Sequence, residues 1–394
     1  MSVRRNCKQF LVFVIPVLHH GGAERVLFNI VSGLNEKIFE RHIVSFVNKP
    51  DSPFEFNPSI ELHHLFSEKQ PLKPKNFIKK IIFIVKILYR LRRLLAKFPK
   101  SAIVIPFLAR PTACYTVLAQ LFSKRRIVVV VHTIESEYMK FNYNSQTKKK
   151  IERLMVKNAC RGADEIVAVS AGVKFDLTRH FSIPAKDIHV IPNPINLREI
   201  ERLKTNPSKV CSEIGSNKTI FVQIGRLSVE KNHRLLIQAA TILKDSDLDF
   251  VILIAGAGDQ ELNISAWIQD AGLQDRVIML GNVNNPYALM TRARSLLLTS
   301  HYESSSMVLK EAMASGTAII SVDCPYGPAD ITQNGRYGLL VPPNNPQALA
   351  DAMIAVARDE LLFDKLVRNG QKRAIIYDID TIVPQWENVF LNGQ

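Results

Sequence analysis

At 394 residues the chain is too long for a single hydrophobic core and suits two domains. A hydrophobic share of 47% with 22% charged residues excludes a disordered or fibrous chain. The net charge of +15 is unevenly placed, with no acidic residue between Glu68 and Glu135; the five scattered cysteines (Cys7, Cys114, Cys160, Cys211, Cys324) form no C-x-x-C pair, which argues against a disulfide framework or a cysteine-built zinc site and suits a reducing cytoplasm.

The opening MSVRRNCKQFLVFVIPVL imitates a signal peptide, but no small-x-small cleavage site precedes the HHGGAER that follows. The apolar run is therefore expected to be a first buried strand over 10–18, and no run reaches the length of a membrane span. Gly21 and Gly22 then permit close backbone approach ahead of a helix over 24–34. A tight turn alone would account for them equally.

Strands follow over 42–47, 102–107, 127–131 and 165–169, with helices over 75–97, 112–121, 148–159 and 171–180. The basic helix is the densest stretch of charge, within KPKNFIKKIIFIVKILYRLRRLLAK, residues 73–97. On a wheel, Lys79, Lys86, Arg90, Arg93 and Lys97 share one arc, and Ile81, Ile84, Leu88 and Leu95 lie opposite. It is either a packed helix with a solvated basic side or one that meets an anionic membrane surface. His132 stands at the end of the strand over 127–131; a lone histidine in such a place is more often structural than catalytic.

The Pro-rich IPNPIN, 191–196, reads as the domain boundary. Beyond it, strands over 219–224, 250–255, 277–280, 295–298, 318–322 and 338–341 alternate with helices over 234–243, 261–271, 307–314 and 346–357. Such alternation means parallel sheets with helices on both faces, whose ligands bind beyond the C-terminal strand ends. The divisions read from the sequence are thus 1–192, 193–378, and a final helix in 379–394 that could cross back onto the first domain.

Three pieces of the second half sit where ligands would bind. In IGRLSVEKNHRLLI, Arg226 and Lys231 bracket a strand-to-helix turn and suit a diphosphate. IAGAGD, 254–259, is an incomplete glycine pattern for a dinucleotide. HYESSSMVLKEAMASG, 301–316, places Ser305 and Ser306 before a short helix that opens on Met307 and Val308 and stops at Gly316. The outward amides of such a helix attract phosphate. Glu303 and Glu311 cannot serve that anion, and a carboxylate instead suits vicinal hydroxyls. One for a sugar, one for a ribose, with a diphosphate between, is the outline of a nucleotide-sugar.

GGAER, GRLSVEKN and Glu303-x7-Glu311 followed by AMASG, in this order, resemble glycosyltransferase family 4, the retaining group with the GT-B fold. The resemblance implies an α/β chain of two Rossmann-like, doubly wound domains facing each other across a cleft, and transfer of a hexosyl or N-acetylhexosaminyl group from a nucleotide-diphosphate sugar, UDP-linked by expectation, to a glycan or lipid-linked acceptor. It assigns Glu303 to the donor sugar, Glu311 to the ribose, Arg226 and Lys231 to the diphosphate, the Gly21–Gly22 turn to the diphosphate from the other domain, and His132 to the transferred sugar. With Arg226, Lys231 and the helix amides aimed at the diphosphate, no metal and no cofactor beyond the donor substrate are expected; no nucleic-acid-binding motif is present, and the enzyme is expected in the cytoplasm, on the membrane face if the basic helix meets it. The chain departs from the family in reading Ser304-Ser305-Ser306 where glycine is common, and its DCPYGPAD, 323–330, is like a polysaccharide-assembly subgroup. A nucleotide-sugar epimerase of the same fold, and a non-catalytic basic binder of membrane or nucleic acid, are the competing expectations.

Overall fold

The structure, a computed structural model, describes residues 8–19, 21–47, 54–66, 77–123, 125–206, 214 and 218–392. The chain divides into one unit of residues 1–194 with 382–394, and a second of 195–381.

In the first unit, β1 (Gln9–Val17), β2 (Phe39–Val47), β3 (Ile60–Phe66) and β4 (Ile103–Pro106) form a sheet in the order β3-β2-β1-β4. A single parallel bridge, Val104 to Ile127, carries it on to β5 (Val128–Val131), β6 (Glu165–Ala168) and β7 (Ile188–Val190). All pairings are parallel. Alternation along β1 covers both faces. Val12 and Val14 join Ile87, Leu91 and Leu95 of the helix Phe77–Leu95 in one cluster, while Phe13 meets Phe107 and Phe390 edge-on across the other face. Phe390 and the fully buried Trp386 belong to the C-terminal helix Ile379–Leu391, whose last part is counted in this unit.

In the second unit, β8 (Thr219–Ile224), β9 (Phe250–Ala255), β10 (Val277–Gly281), β11 (Ser295–Leu298), β12 (Ala318–Val322) and β13 (Leu339–Val341) pair in parallel in the order β10-β9-β8-β11-β12-β13. Read from its own first strand, this is the doubly wound order 3-2-1-4-5-6, with its switch point between β8 and β11. Phe221 packs into one apolar cluster and its neighbours Ile220 and Val222 into the other, as a strand buried on both sides requires.

The structure adds elements that the sequence reading omits. β3 carries IELHHLF, too polar to read as a strand. The helix Glu360–Ala374 runs unbroken through Gly370, which is buried beside Met313. Glu135–Asn142 and Leu197–Lys204 are short and polar. The helix expected over 112–121 is only Cys114–Ala119, entered through an irregular turn at Ala109–Ala113.

The basic helix needs a correction. Of the expected 75–97, residues 75 and 76 lie outside the described residues, and the helix runs Phe77–Leu95. Its buried side is centred on Ile87, Leu91 and Leu95; of the expected face Leu95 is buried and Ile84 and Leu88 half-buried, so the face is turned by about half a step. Ile81 is therefore exposed, along with Ile78, Ile82, Val85 and Tyr89. Arg90 is engaged by its own unit, donating to the Leu65 carbonyl at 2.7 Å and lying over the Phe66 ring. The sheet sets this rotation, because it takes the side chains that best fill the groove and not those on the cleanest apolar arc.

Candidate active site

The switch point of the second sheet gathers most of the expected donor residues. Lys231 lies in the turn after β8 and Glu303 in the loop after β11, so two neighbouring strands deliver them to the same edge. Lys231 Nζ meets Glu303 Oε1 at 2.6 Å, and the Ser300 hydroxyl donates to the same oxygen at 2.7 Å. The two turns are locked by Thr299 Oγ1, which donates to the Lys231 carbonyl at 2.8 Å and accepts from Gln223 at 3.1 Å, and by the His301 amide on the Glu230 carbonyl at 2.8 Å. Glu303 is 8% exposed and Lys231 22%. The sequence reading gives these two side chains separate tasks, on sugar and on diphosphate; the structure joins them as one ion pair.

Two glycines shape this edge. Gly327, in the turn before the helix Pro328–Thr332, has φ +105°, and a Cβ there would sit 3.1 Å from Cβ of Glu303. The Glu303 amide also approaches the Pro325 carbonyl, at 3.4 Å. The DCPYGPAD stretch is thus the wall behind Glu303. Gly256 has φ +144°, and a Cβ would lie 1.9 Å from the Gly225 carbonyl oxygen. The incomplete glycine pattern of IAGAGD is therefore a seat for the turn that carries Arg226. Arg226 itself is 71% exposed, 3.6 Å from Glu230.

The helix Met307–Ser315 begins at Ser306, whose side chain makes no capping bond, and ends at Gly316 in the left-handed conformation (φ 80°). Ser305 and Ser306 are buried, while Met307 and Val308 are half-buried in its first turn. Glu311, further along, accepts from the Tyr287 hydroxyl at 3.4 Å. The residue between these features was missed from sequence. Lys310 is 1% exposed, donates to Ser305 Oγ at 2.8 Å and lies 4.6 Å from the Tyr377 ring centroid. Burial lowers its ammonium to about 7, aided by Arg373 and opposed by Glu311. A lysine on the inner face of VLKEAM is the signal that could have found it.

In the first unit, Gly21 precedes the helix Gly22–Gly33 with extended backbone. A Cβ on Gly22 would meet nothing within 4 Å, whereas one on Gly21 would lie 2.2 Å from a carboxylate oxygen of Glu24, which would have to swing aside. The unit's own packing thus leaves room for a side chain at residue 22 but not at residue 21 without a shift of Glu24. His132 follows β5, buried against Phe107 with ring centroids 4.5 Å apart, and burial lowers its imidazole to about 3, so it is neutral across the physiological range. Beside it in sequence, Glu135 forms a buried ion pair with Arg110, which also donates to Glu152 at 3.1 Å and lies over Tyr138. Burial pushes the Glu135 carboxyl up to about 7 against the pull of Arg110. This cluster was not foreseen, because Arg110, Glu135 and Glu152 are dispersed along the chain.

Residues 20–199 match the family model described as Glycosyltransferase Family 4, and residues 207–373 the one described as Glycosyl transferases group 1. Among curated relatives, the N-acetylgalactosamine-N,N'-diacetylbacillosaminyl-diphospho-undecaprenol 4-alpha-N-acetylgalactosaminyltransferase of Campylobacter jejuni is 30% identical over 94% of this chain and 96% of its own. A second Campylobacter jejuni alpha-1,4-N-acetyl-D-galactosaminyltransferase, named for a diNAcBac-PP-undecaprenol glycan, is 26% identical over 95% and 96%. Among solved structures, sucrose-phosphate synthase from Thermosynechococcus elongatus superposes with a TM-score of 0.79 at 19% identity, covering 98% of this chain and 99% of that one. Anabaena HepE in complex with UDP-glucose gives 0.78 at 19%, covering 98% and 100%.

Proposed function

The chain belongs to glycosyltransferase family 4 and has its GT-B fold, and from that premise we propose that it is a retaining enzyme moving an N-acetylhexosaminyl or hexosyl group from a UDP-linked donor to a hydroxyl of a lipid-linked glycan. The observation that carries the reading is the Glu303 carboxylate, braced on Oε1 by Lys231 and Ser300 just ahead of the helix Met307–Ser315. An acid held in this way by two donors beside an anion-binding helix start suits a hydroxylated ligand that carries a diphosphate. The two bacterial relatives, both named for N-acetylgalactosaminyl transfer onto undecaprenyl-diphosphate-linked glycans, support the sugar and acceptor classes.

In this reading the acceptor oxygen bonds to the anomeric carbon as the bond to the diphosphate breaks. The acceptor proton passes to the leaving phosphate oxygen, and the configuration is kept. Charge grows on the diphosphate, where Lys231, Arg226 and the first-turn amides around Met307 and Val308 stabilise it without a catalytic metal or further cofactor. Glu303 holds sugar hydroxyls and Glu311 the ribose. The Gly21–Gly22 turn, with open space where a Gly22 Cβ would stand, is assigned to the donor phosphates and His132 to the sugar by the family resemblance.

The chain meets its lipid-linked substrate, we propose, through the helix Phe77–Leu95. No described helix is long and apolar enough to cross a membrane. Ile78, Ile82, Val85 and Tyr89 instead form an exposed apolar strip, 71%, 47%, 57% and 63% exposed, flanked by the exposed Lys79, Lys86 and Arg93. An apolar strip edged by cations suits the interface of an anionic leaflet, at about 1 kcal/mol per basic residue.

The test is UDP release from UDP-N-acetylhexosamines and UDP-hexoses, with and without an undecaprenyl-diphosphate-linked acceptor. Acceptor-dependent release is expected. Donor turnover without acceptor would point to an epimerase, and no thermal shift with any nucleotide-sugar alongside salt-sensitive DNA binding would point to a basic binder. For the membrane contact, flotation with anionic vesicles should fall when Ile82, Val85 and Tyr89 are changed to serine, and unchanged flotation would return the helix to a structural role.

A further inference from the structure

Three side chains at the edge of the first sheet converge away from the chemistry described above. His42 lies on β2, and Glu61 and His63 lie on β3, where His42 is the cross-strand partner of Glu61. Residues two apart on a strand share a face, so Glu61 and His63 both stand beside His42. His64, on the opposite face, bonds Ser45 Oγ at 2.7 Å and is outside the group. The atoms that meet are His42 Nδ1, His63 Nε2 and Glu61 Oε2, separated by 3.3, 3.4 and 3.7 Å. With metal bonds of about 2.0–2.2 Å, neighbouring ligands of a tetrahedral ion stand about 3.3–3.5 Å apart.

We propose that His42, His63 and Glu61 bind a divalent transition ion of the zinc class. The other ring nitrogen of His42, Nε2, lies 3.2 Å from Glu40 Oε1. A proton held there leaves Nδ1 as a lone pair aimed at the Glu61 carboxylate, an arrangement that a cation resolves. It is also the carboxylate–histidine pairing that orients metal-bound imidazoles. Two imidazoles select a transition ion over calcium or magnesium. Phe98 stands edge-on to both imidazole rings, at 4.8 and 5.6 Å, and walls one side of the site. Glu61 is 63% exposed, so the fourth position opens to water.

The ion belongs near the starts of β2 and β3, whereas the donor chemistry lies at C-terminal strand ends of the other unit. Its work is to clamp the edge strand β3 to β2, and this inference stands independently of the transferase reading. Histidine and carboxylate supply all three protein ligands, so the site needs no cysteine.

The experiment takes untagged, full-length protein, stripped with chelator and dialysed, and titrates it with Zn²⁺ and with Co²⁺ while following bound metal, the visible Co²⁺ spectrum and Tm. One equivalent should bind, with a Co²⁺ band of tetrahedral character and a Tm that rises with Zn²⁺. Glu61→Gln and His63→Ala, at exposed or partly exposed positions, should each weaken binding by at least tenfold and abolish the Tm rise, and Glu40→Gln should weaken it by about 10–100-fold. Should the Glu61→Gln/His63→Ala double variant, folded by circular dichroism, match the wild type in bound zinc and Tm, the site does not exist.

Discussion

The two units share the strand order 3-2-1-4-5-6, the first carrying a seventh strand beyond it, yet their C-terminal edges are built from opposite kinds of ion pair. In the second unit the Lys231–Glu303 pair is 22% and 8% exposed and sits among hydroxyls and a helix start. In the first, the Arg110–Glu135 pair is 9% and 3% exposed and walled by Tyr138. A pair that keeps some access to solvent can exchange one partner for a ligand. A fully enclosed pair is structural, because losing either member strands a charge without water. One scaffold thus carries one ion pair with access for a ligand and one without it, and the exposure of the cation, 22% against 9%, separates them.

The strongest way to break this comparison is to remove one cation from each pair. Lys231→Ala, and likewise Arg226→Ala, should lower kcat by about 10²–10³, the usual loss when a preorganised donor to developing charge is deleted, with little change in unfolding midpoint. A loss under threefold in kcat removes that residue from the mechanism. Arg110→Met should do the reverse, costing about 3–5 kcal/mol of stability by urea unfolding.

Glycines sharpen the same contrast on a smaller scale. Gly256→Ala places a Cβ against the Gly225 carbonyl at a positive φ and should cost about 1–3 kcal/mol of stability. Gly22→Ala meets open space and should change stability by under about 1 kcal/mol, while raising KM for the donor. If Gly22→Ala leaves KM untouched, that turn is only a turn.

The smallest effect is a slope. Lys310 titrates near 7 when folded and near 10.4 when unfolded. Between those values the unfolded chain holds a proton that the folded chain lacks, so stability rises with pH, by at most about 1.4 kcal/mol per unit. The cost of burying the charge is complete below about pH 7. Lys310→Met should remove this slope, and identical Tm profiles from pH 6 to 10 in the two proteins would show that Lys310 is solvated.

The order of amino acids was enough to announce parallel sheets, because strands buried on both faces must be continuously apolar, as VVVV over Val128–Val131 is. It was also enough to single out Glu303, Lys231 and Glu311, since local spacing puts an acid before a helix start and another along it. The rotation of the helix Phe77–Leu95 was not legible in the same way. A wheel ranks faces by polarity, and only packing against β1 and β2 decided that Ile87 goes inward and Ile81 outward. Nor were the groupings of Arg110 with Glu135 and Glu152, of His42 with Glu61 and His63, or of Lys231 with Glu303, because each joins side chains from separate elements. Periodicity along a chain fixes which residues share a face; which faces meet is a property of the sheet register and crossover order, and these exist only once the chain has folded.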